Sequence, residues 1–151
     1  MTSLPNISYG GFFTEEIKQN EERVGFKIVT TFGDEAILSH QDYKSSYRIS
    51  KYGVNLNNLE IFAVNSLVRA LKEKDLVVID EIGKMEIYSE KFKSTVEAIF
   101  SESNKKVLAS IAISKIPFID KIRRLPNISL FEVTIENREH LIKKIANSLI
   151  S

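Results

Sequence analysis

The chain has 151 residues, 43% of them hydrophobic, which is typical of a single globular domain with its own core. Its 21 lysines and arginines nearly balance 20 aspartates and glutamates, and a net charge of +1 argues against dedicated binding to nucleic acid or anionic membranes. The absence of cysteine excludes disulfides, thiolate metal sites and cysteine nucleophiles. No apolar run approaches the roughly 18–20 residues of a membrane span, and no signal peptide is visible. We therefore expect one cytoplasmic domain over residues 1–151, with neither nucleic acid nor membrane as a partner.

The first third of the chain predicts β structure. Residues 11–14 combine aromatic and β-branched side chains and form a short strand candidate. Residues 24–31 and 35–39 form two more, and Gly33-Asp34 between them predicts the tight turn of an antiparallel hairpin. The polar stretch 40–58 predicts the longest loop, and long loops in compact domains are often functional.

The rest of the chain alternates between helical and strand patterns. Apolar residues recur with a period of 3.6 from Leu59 to Leu71, which predicts an amphipathic helix. Residues 76–79 are a continuous apolar run, typical of a strand buried on both faces of a parallel sheet. The further predicted elements are a helix over 89–103 with Ser89 as N-cap, a strand over 107–111, a helix over 117–124, a strand over 129–133 and a helix over 135–149. This order predicts an α/β fold with right-handed crossovers and helices on both faces of the sheet.

Two acids end the apolar strand. In open α/β sheets ligands bind outside the carboxyl ends of the strands, so Asp80 and Glu81 stand where a metal–phosphate complex would lie. In nucleotide hydrolysis Asp80 would hold Mg²⁺ through its water shell, and Glu81 would orient or deprotonate the attacking water. The alternative is a strand that simply stops at two solvated acids.

Lys84 follows the acids in the segment Gly83-Lys84-Met85-Glu86. Its side chain could reach a phosphate or pair with Glu86, and the alternative is a surface lysine after a glycine turn. Phosphate hydrolysis of this kind also needs a cradle of backbone N–H groups with the pattern G-x-x-x-x-G-K-[ST]. None of the six glycines begins that pattern.

Six segments in order resemble one family, the small nucleoside-triphosphatases of the P-loop superfamily from thermophilic archaea and bacteria, which have a human relative called cancer-related nucleoside-triphosphatase. The most specific stretch, Val78-Ile79-Asp80-Glu81-Ile82-Gly83-Lys84-Met85-Glu86, resembles the family's Walker B segment. The other segments are Gly10-Gly11-Phe12-Phe13-Thr14-Glu15-Glu16, Arg23-Val24-Gly25-Phe26-Lys27-Ile28-Val29, Tyr52-Gly53-Val54, Ile122-Arg123-Arg124-Leu125-Pro126, and Glu132-Val133-Thr134 with Asn137-Arg138.

The resemblance implies slow hydrolysis of ATP, GTP and other nucleoside triphosphates with Mg²⁺ as cofactor. It implies a P-loop-type three-layer sandwich with a mainly parallel sheet and an antiparallel hairpin. Asp80 would be the magnesium-associated acid and Glu81 the catalytic carboxylate, while Lys84 is a candidate nucleotide contact without a firm role. Arg48, Lys51 and Arg138 lie in matching segments and could meet phosphates, although structural or solvated roles are the alternative.

The chain departs from the family at its start. Family members open with a strand, a phosphate loop and a helix, a unit of roughly 30 residues, whereas nine residues precede Gly10 here. We therefore expect the first strand and phosphate loop to be missing and hydrolysis by the chain alone to be absent or strongly impaired, since one lost anion-binding donor costs about 3–4 kcal/mol. The strand ending at Asp80 is then expected to have an open edge or a different neighbour. The alternative function is a non-catalytic binding or assembly module that self-associates through an exposed sheet edge.

Overall fold

The structure, a computed structural model, describes residues 7–102 and 104–150. The strands are β1 (Tyr9–Gln19), β2 (Glu22–Thr30), β3 (Glu35–His40), β4 (Arg48–Ile49), β5 (Tyr52–Val54), β6 (Leu76–Ile82) and β7 (Lys106–Ile111). The helices are α1 (Leu56–Asn58), which continues through a π-helical segment (Leu59–Val64) into α2 (Asn65–Glu73), then α3 (Glu90–Glu102), α4 (Pro117–Arg123) and α5 (Arg138–Ile150). A 3₁₀ turn covers Glu86–Tyr88. None of the described helices is both long and apolar enough to cross a membrane.

The described strands form one mixed sheet in the order β4-β5-β3-β2-β1-β6-β7. β1, β6 and β7 are parallel, and the remaining pairs are antiparallel. The α/β class and the predicted β2–β3 hairpin are confirmed. The antiparallel part is larger than predicted because β1 runs on to Gln19 and turns back through Asn20 and Glu21, whose φ angles of 52° and 67° suit a tight hairpin turn.

Helices cover both faces of the sheet, so the molecule has three layers as expected. On one face, Phe12, Ile28 and Ile79 of the sheet pack with buried side chains of the helices from Leu59 to Ile122. On the other face, Leu76 and Val78 pack with Leu108 and with Ala146 and Leu149 of α5. Burial on both faces explains why the strand over residues 76–79 is apolar throughout.

Gly11 allows β1 to lie close against β6. Its φ is +141°, and a Cβ atom there would come within 1.9 Å of the Val78 carbonyl oxygen. Gly11 lies opposite Val78 in the parallel register. A side chain at this position would therefore force β1 and β6 apart.

The predicted strand over residues 129–133 is wrong. The segment has no partner in the described sheet, and Leu130 and Val133 are 58% and 67% exposed. A strand needs a neighbour for its N–H and C=O groups. Here Asn137 instead accepts from the Thr134 N–H and donates to the Glu132 carbonyl, and these local bonds hold the chain in a turn before α5.

Two further expectations are corrected or narrowed. The strand ending at Asp80 has no open edge, since it is paired with β1 and β7, and the sheet of the described residues ends at β4 and β7. The predicted loop over 40–58 contains the short hairpin of β4 and β5, and the helix begins earlier than Leu59, with Asn55 accepting from the Asn58 N–H. The N-cap predicted at Ser89 is confirmed, since its Oγ accepts from the Phe92 N–H at 3.0 Å.

Candidate functional site

Asp80 and Glu81 lie near the end of β6, at the carboxyl edge of the parallel strands. Both side chains are half-buried, and the peptide bond between them is cis. The apolar residues before them are buried, whereas the acids emerge where the parallel pairing with β7 becomes irregular, between Ile79 and Ile82. The strand therefore brings two carboxylates to the edge at which α/β sheets bind ligands.

Ser110 near the end of β7 holds Asp80. Its hydroxyl donates to Asp80 Oδ1 at 2.7 Å. The sequence analysis missed Ser110, although it could have been noticed as a hydroxyl near the end of the next predicted strand, since neighbouring parallel strands end at the same edge. The contact turns the Asp80 carboxylate toward β7 and fixes one of its two oxygens.

Glu81 faces the other way, toward the loop that follows β6. A Cβ atom on Gly83 would lie 2.6 Å from Glu81 Oε1 and 3.0 Å from Glu86 Oε1. The absence of a side chain at Gly83 therefore lets two carboxyl groups approach one backbone position. Burial, with the Asp80 charge as the smaller cause, raises the pKa of Glu81 above its ordinary value.

Glu86 is a third carboxyl group beside the end of β6, and the sequence analysis did not assign it to the site. It opens the 3₁₀ turn and is 3% exposed. Burial raises its pKa to about 8, with Glu81 and Asp80 adding to the rise, while hydrogen bonds from the backbone at Glu86 and Gly83 oppose it. At neutral pH Glu86 is therefore mainly a neutral acid next to the ionisable Glu81.

The basic candidates lie apart from the two acids. The Lys84 side chain is exposed and makes no hydrogen bond or ion pair with a described residue, whereas Glu86 is buried, so the pairing of Lys84 with Glu86 that the sequence left open is not formed. Arg48 donates to the carbonyls of Tyr43 and Lys51 and so closes its own loop. Lys51 lies over the Tyr52 ring, and Arg138 is exposed at the start of α5.

The chemistry of Asp80 fits a magnesium ion held through water. Ser110 occupies Oδ1, and no described residue donates to Oδ2, which leaves one hard oxygen on a half-buried carboxylate. Mg²⁺ usually keeps several waters and takes one or two protein carboxylates. No set of three or more described His, Cys, Asp or Glu side chains is arranged as a closed metal site, and a single Asp80 contact does not require one.

Comparison with known proteins places this fold and site in a family. A family model described as "NTPase" matches residues 2–146. The nucleoside-triphosphatase THEP1 of Thermotoga maritima is 49% identical over 140 residues, which are 93% of this chain and 80% of that protein. The cancer-related nucleoside-triphosphatase homolog of Bos taurus is 33% identical over 153 residues, again covering 93% and 80%.

Two solved structures have the same fold. THEP1 from the hyperthermophile Aquifex aeolicus has a TM-score of 0.87 at 38% identity and covers 94% of this chain and 84% of its own. The solution structure of a human cancer-related nucleoside triphosphatase has a TM-score of 0.76 at 30% identity, with coverage of 98% and 83%. The family model and the relatives match nearly the whole chain, and the fold agrees with theirs. This chain belongs to the nucleoside-triphosphatase family.

Proposed function

We propose that the carboxyl edge of β6 is a nucleoside-triphosphatase site, in which Asp80 positions Mg²⁺ and Glu81 acts on the attacking water. The observation that carries the proposal is the division between the two adjacent acids. Asp80 is fixed toward β7 by Ser110, whereas Glu81 lies in the more enclosed surroundings of Gly83 and Glu86. The family and the names of its relatives support ATP, GTP and other nucleoside triphosphates as the substrates.

Asp80 supplies the acceptor for the metal's water shell. Bound there, Mg²⁺ would neutralise charge on the β- and γ-phosphates. Ser110 keeps the carboxylate in one rotamer, so the remaining oxygen faces the ligand without reorganising. The chain's own part in this step is therefore to hold one carboxylate in place.

Glu81 supplies the base. A carboxylate works best as a general base when its pKa lies near the working pH, and burial shifts the pKa of Glu81 in that direction. Glu86 adds a neutral carboxyl group on the buried side, so that no full charge stands beside Glu81 there at neutral pH. Lys84 is exposed and free to meet a phosphate.

The rate expected of the 151-residue chain is low. Its sequence contains no G-x-x-x-x-G-K-[ST] pattern, so the backbone cradle for the β-phosphate is not among its own residues. Loss of such donors costs about 3–4 kcal/mol each in transition-state stabilisation. We expect phosphate release far below the typical enzyme turnover of about 10 s⁻¹.

The test is phosphate release from ATP and GTP with Mg²⁺, compared between the chain, Glu81→Gln and the control Glu90→Gln, which removes an exposed acid of α3. Glu81→Gln should lower any turnover by about 100-fold or more and leave binding of Mg·ATP in place. Asp80→Asn should weaken that binding. Turnover that persists unchanged in Glu81→Gln would contradict the role of Glu81, and turnover near about 10 s⁻¹ would contradict the impairment.

A second candidate is a non-catalytic assembly module, favoured by the open edge of the sheet. Among the described residues β7 pairs only with β6, and Ile113, Leu130 and Val133 are 91%, 58% and 67% exposed. Light scattering over a range of concentrations tests it. A dimer that Leu130→Lys dissociates, and that Ile37→Lys on β3 does not, would support self-association through this edge. A monomer at all concentrations would contradict it.

A further inference from the structure

A groove separate from Asp80 lies where the hairpins meet the loop after β6. We call it the hairpin groove and define it by Arg23, Phe26, Ile49, Lys51, Tyr52 and Met85, with a volume of about 630 Å³. The groove is open to solvent on one side, so a ligand there would keep part of its surface exposed. β2 begins beyond the carboxyl end of β6, because β1 runs parallel to β6 and then turns back. The groove therefore opens at the same end of the sheet as Glu81.

Two cations are held at the groove by aromatic rings. The Arg23 guanidinium lies 5.0 Å from the centroid of the Phe26 ring and 5.8 Å from that of Tyr52. Its Nε donates to the Tyr52 hydroxyl at 3.1 Å and its Nη1 to Glu16 at 3.3 Å. The Lys51 ammonium lies 5.6 Å from the Tyr52 ring. Both side chains are thus held in place before any ligand arrives.

Both cations keep donors for an incoming anion. Within the described part of the chain no acceptor lies within hydrogen-bonding distance of Arg23 Nη2 or Lys51 Nζ. An arginine and a lysine that already rest on a ring lose less side-chain freedom when they bind a phosphate. The groove therefore offers a preformed pair of phosphate donors.

The remaining walls suit a flat ring and a sugar. Phe26, Ile49 and Met85 are half-buried and provide apolar surface. Phe26 and Tyr52 meet edge to face with centroids 5.7 Å apart, and Tyr52 is buried, so this contact fixes the Phe26 ring that forms part of the wall. Glu22 also lines the groove and is exposed. Its carboxylate can accept from the hydroxyls of a sugar.

We propose that the hairpin groove binds a second nucleotide, of the nucleoside monophosphate class, independently of Mg²⁺. The phosphate meets Arg23 and Lys51, the base lies against the apolar wall of Phe26, Ile49 and Met85, and Glu22 accepts from the ribose. Independence from Mg²⁺ follows because the groove's donors are cations and Asp80 is turned away from it toward β7. The hairpin groove is therefore separate from the site proposed for the triphosphate, and AMP binding there does not depend on hydrolysis at Asp80 and Glu81.

The chain contains a matched control for the two cations. Arg69 and Lys74 lie 4.1 Å and 5.9 Å from the centroid of the Phe32 ring, so a second arginine and lysine share one aromatic ring. Arg69 Nε donates to Glu73 at 3.0 Å, and none of these residues lines the hairpin groove. Lys51→Met and Lys74→Met therefore remove the same charge from the same kind of ring contact.

The experiment is a titration with adenosine 5′-monophosphate in EDTA, followed by calorimetry and by tyrosine fluorescence, which is unobscured because the chain has no tryptophan. We expect one AMP per chain and about tenfold weaker binding in Lys51→Met, since one charge-assisted contact is lost, with binding unchanged in Lys74→Met. Arg23→Ala should weaken binding at least as much, with circular dichroism as the check on its fold.

Several outcomes would overturn the proposal. Absence of AMP binding, or equal losses in Lys51→Met and Lys74→Met, would remove the groove as the site. Loss of AMP binding in Asp80→Asn, or its displacement by Mg·ATP, would place AMP in the carboxylate site instead. Inorganic phosphate that binds as tightly as AMP would exclude recognition of the nucleoside part. Tight AMP binding that survives both Asp80→Asn and saturating Mg·ATP supports the second site.

Discussion

Two regions beside the end of β6 provide different environments for neighbouring carboxyl groups. Toward β7, Asp80 is half-buried and held by one hydroxyl, that of Ser110, with its second oxygen left for a ligand. Toward the 83–88 loop, Glu81 and the buried Glu86 crowd around a glycine, and burial raises the pKa of both. The first arrangement suits a group that accepts hydrogen bonds from a metal's water. The second suits groups that must change or withhold a proton.

The largest expected effect comes from Glu86. The ordinary pKa of its carboxyl group is 4.5, and burial in the fold raises that pKa to about 8. Below the pKa that Glu86 has in the unfolded chain, the buried carboxyl is neutral and its contribution to stability is fully present. As the pH rises through the higher pKa of the folded state, the buried group must ionise and that contribution is lost. The wild-type free energy of unfolding should therefore fall by up to about 5 kcal/mol between roughly pH 5 and pH 9. Glu86→Gln should remove most of this slope and be the more stable protein at the alkaline end.

Urea unfolding at several pH values measures this slope. Glu90→Gln is the control, because Glu90 is an exposed acid paired with Lys93 at 2.9 Å. The control should keep the wild-type slope. A Glu86→Gln protein whose stability still declines as steeply as that of the wild type would show that Glu86 is not the titrating group.

The second effect concerns Gly83, which lies beside the carboxyl groups of Glu81 and Glu86. Gly83→Ala places a methyl group 2.6 Å from Glu81 Oε1 and 3.0 Å from Glu86 Oε1, so one carboxyl must move. We expect a loss of about 1 kcal/mol in unfolding free energy, at the low end of the usual cost of overpacking, because the half-buried Glu81 carboxyl is the end of a flexible side chain and can shift. Thermal and urea unfolding measure it. A larger loss would mean that the buried Glu86 must move as well, and a neutral substitution would mean that Glu81 swings away without cost.

The third effect lies on the other side of β6. Ser110→Ala removes the donor to Asp80 Oδ1 and should cost about 1 kcal/mol, because the pair is accessible to water. It should also weaken Mg²⁺-dependent nucleotide binding, since the carboxylate loses its fixed orientation. Ser94→Ala is the control, as the Ser94 hydroxyl donates to the Lys91 carbonyl on an exposed helix face. Equal effects on nucleotide binding in both variants would argue against positioning by Ser110.

The sequence was sufficient to predict the buried strand β6 and the acids at its end. It was insufficient to predict the packing of the loop over residues 83–88. An apolar run followed by acids identifies a buried strand and its carboxyl end, because each side chain shows by its own polarity whether it is buried or solvated. The sequence offers Ser110, near the end of the next predicted strand, only as a candidate partner of Asp80, because the contact depends on which strand lies next to β6. The sequence offered Glu86 only as a possible partner of Lys84, and the packing of the 3₁₀ turn reveals that it is 3% exposed.

The strand predicted over 129–133 failed for a related reason. Apolar and β-branched residues mark a segment that can form a strand, but a strand also requires a neighbour with free backbone groups. Leu130 and Val133 have no such neighbour among the described residues and remain exposed. The hairpin turn at Asn20-Glu21 was missed because it lacks the glycine that usually marks positive φ angles.

The smallest expected effect on stability is that of Lys84, and it separates folding from binding at this edge. Lys84 is exposed and without a described partner, so Lys84→Ala should change the unfolding free energy by less than about 0.5 kcal/mol. If the lysine meets a phosphate, the same variant weakens Mg·ATP binding several-fold, and more so at low salt because screening is weaker there. Lys72→Ala, an exposed lysine of α2, is the control and should alter neither quantity. Unchanged ATP affinity at low salt in Lys84→Ala would leave Asp80 and Glu81 as the ligand-facing groups of this loop and would assign Lys84 to the solvated surface.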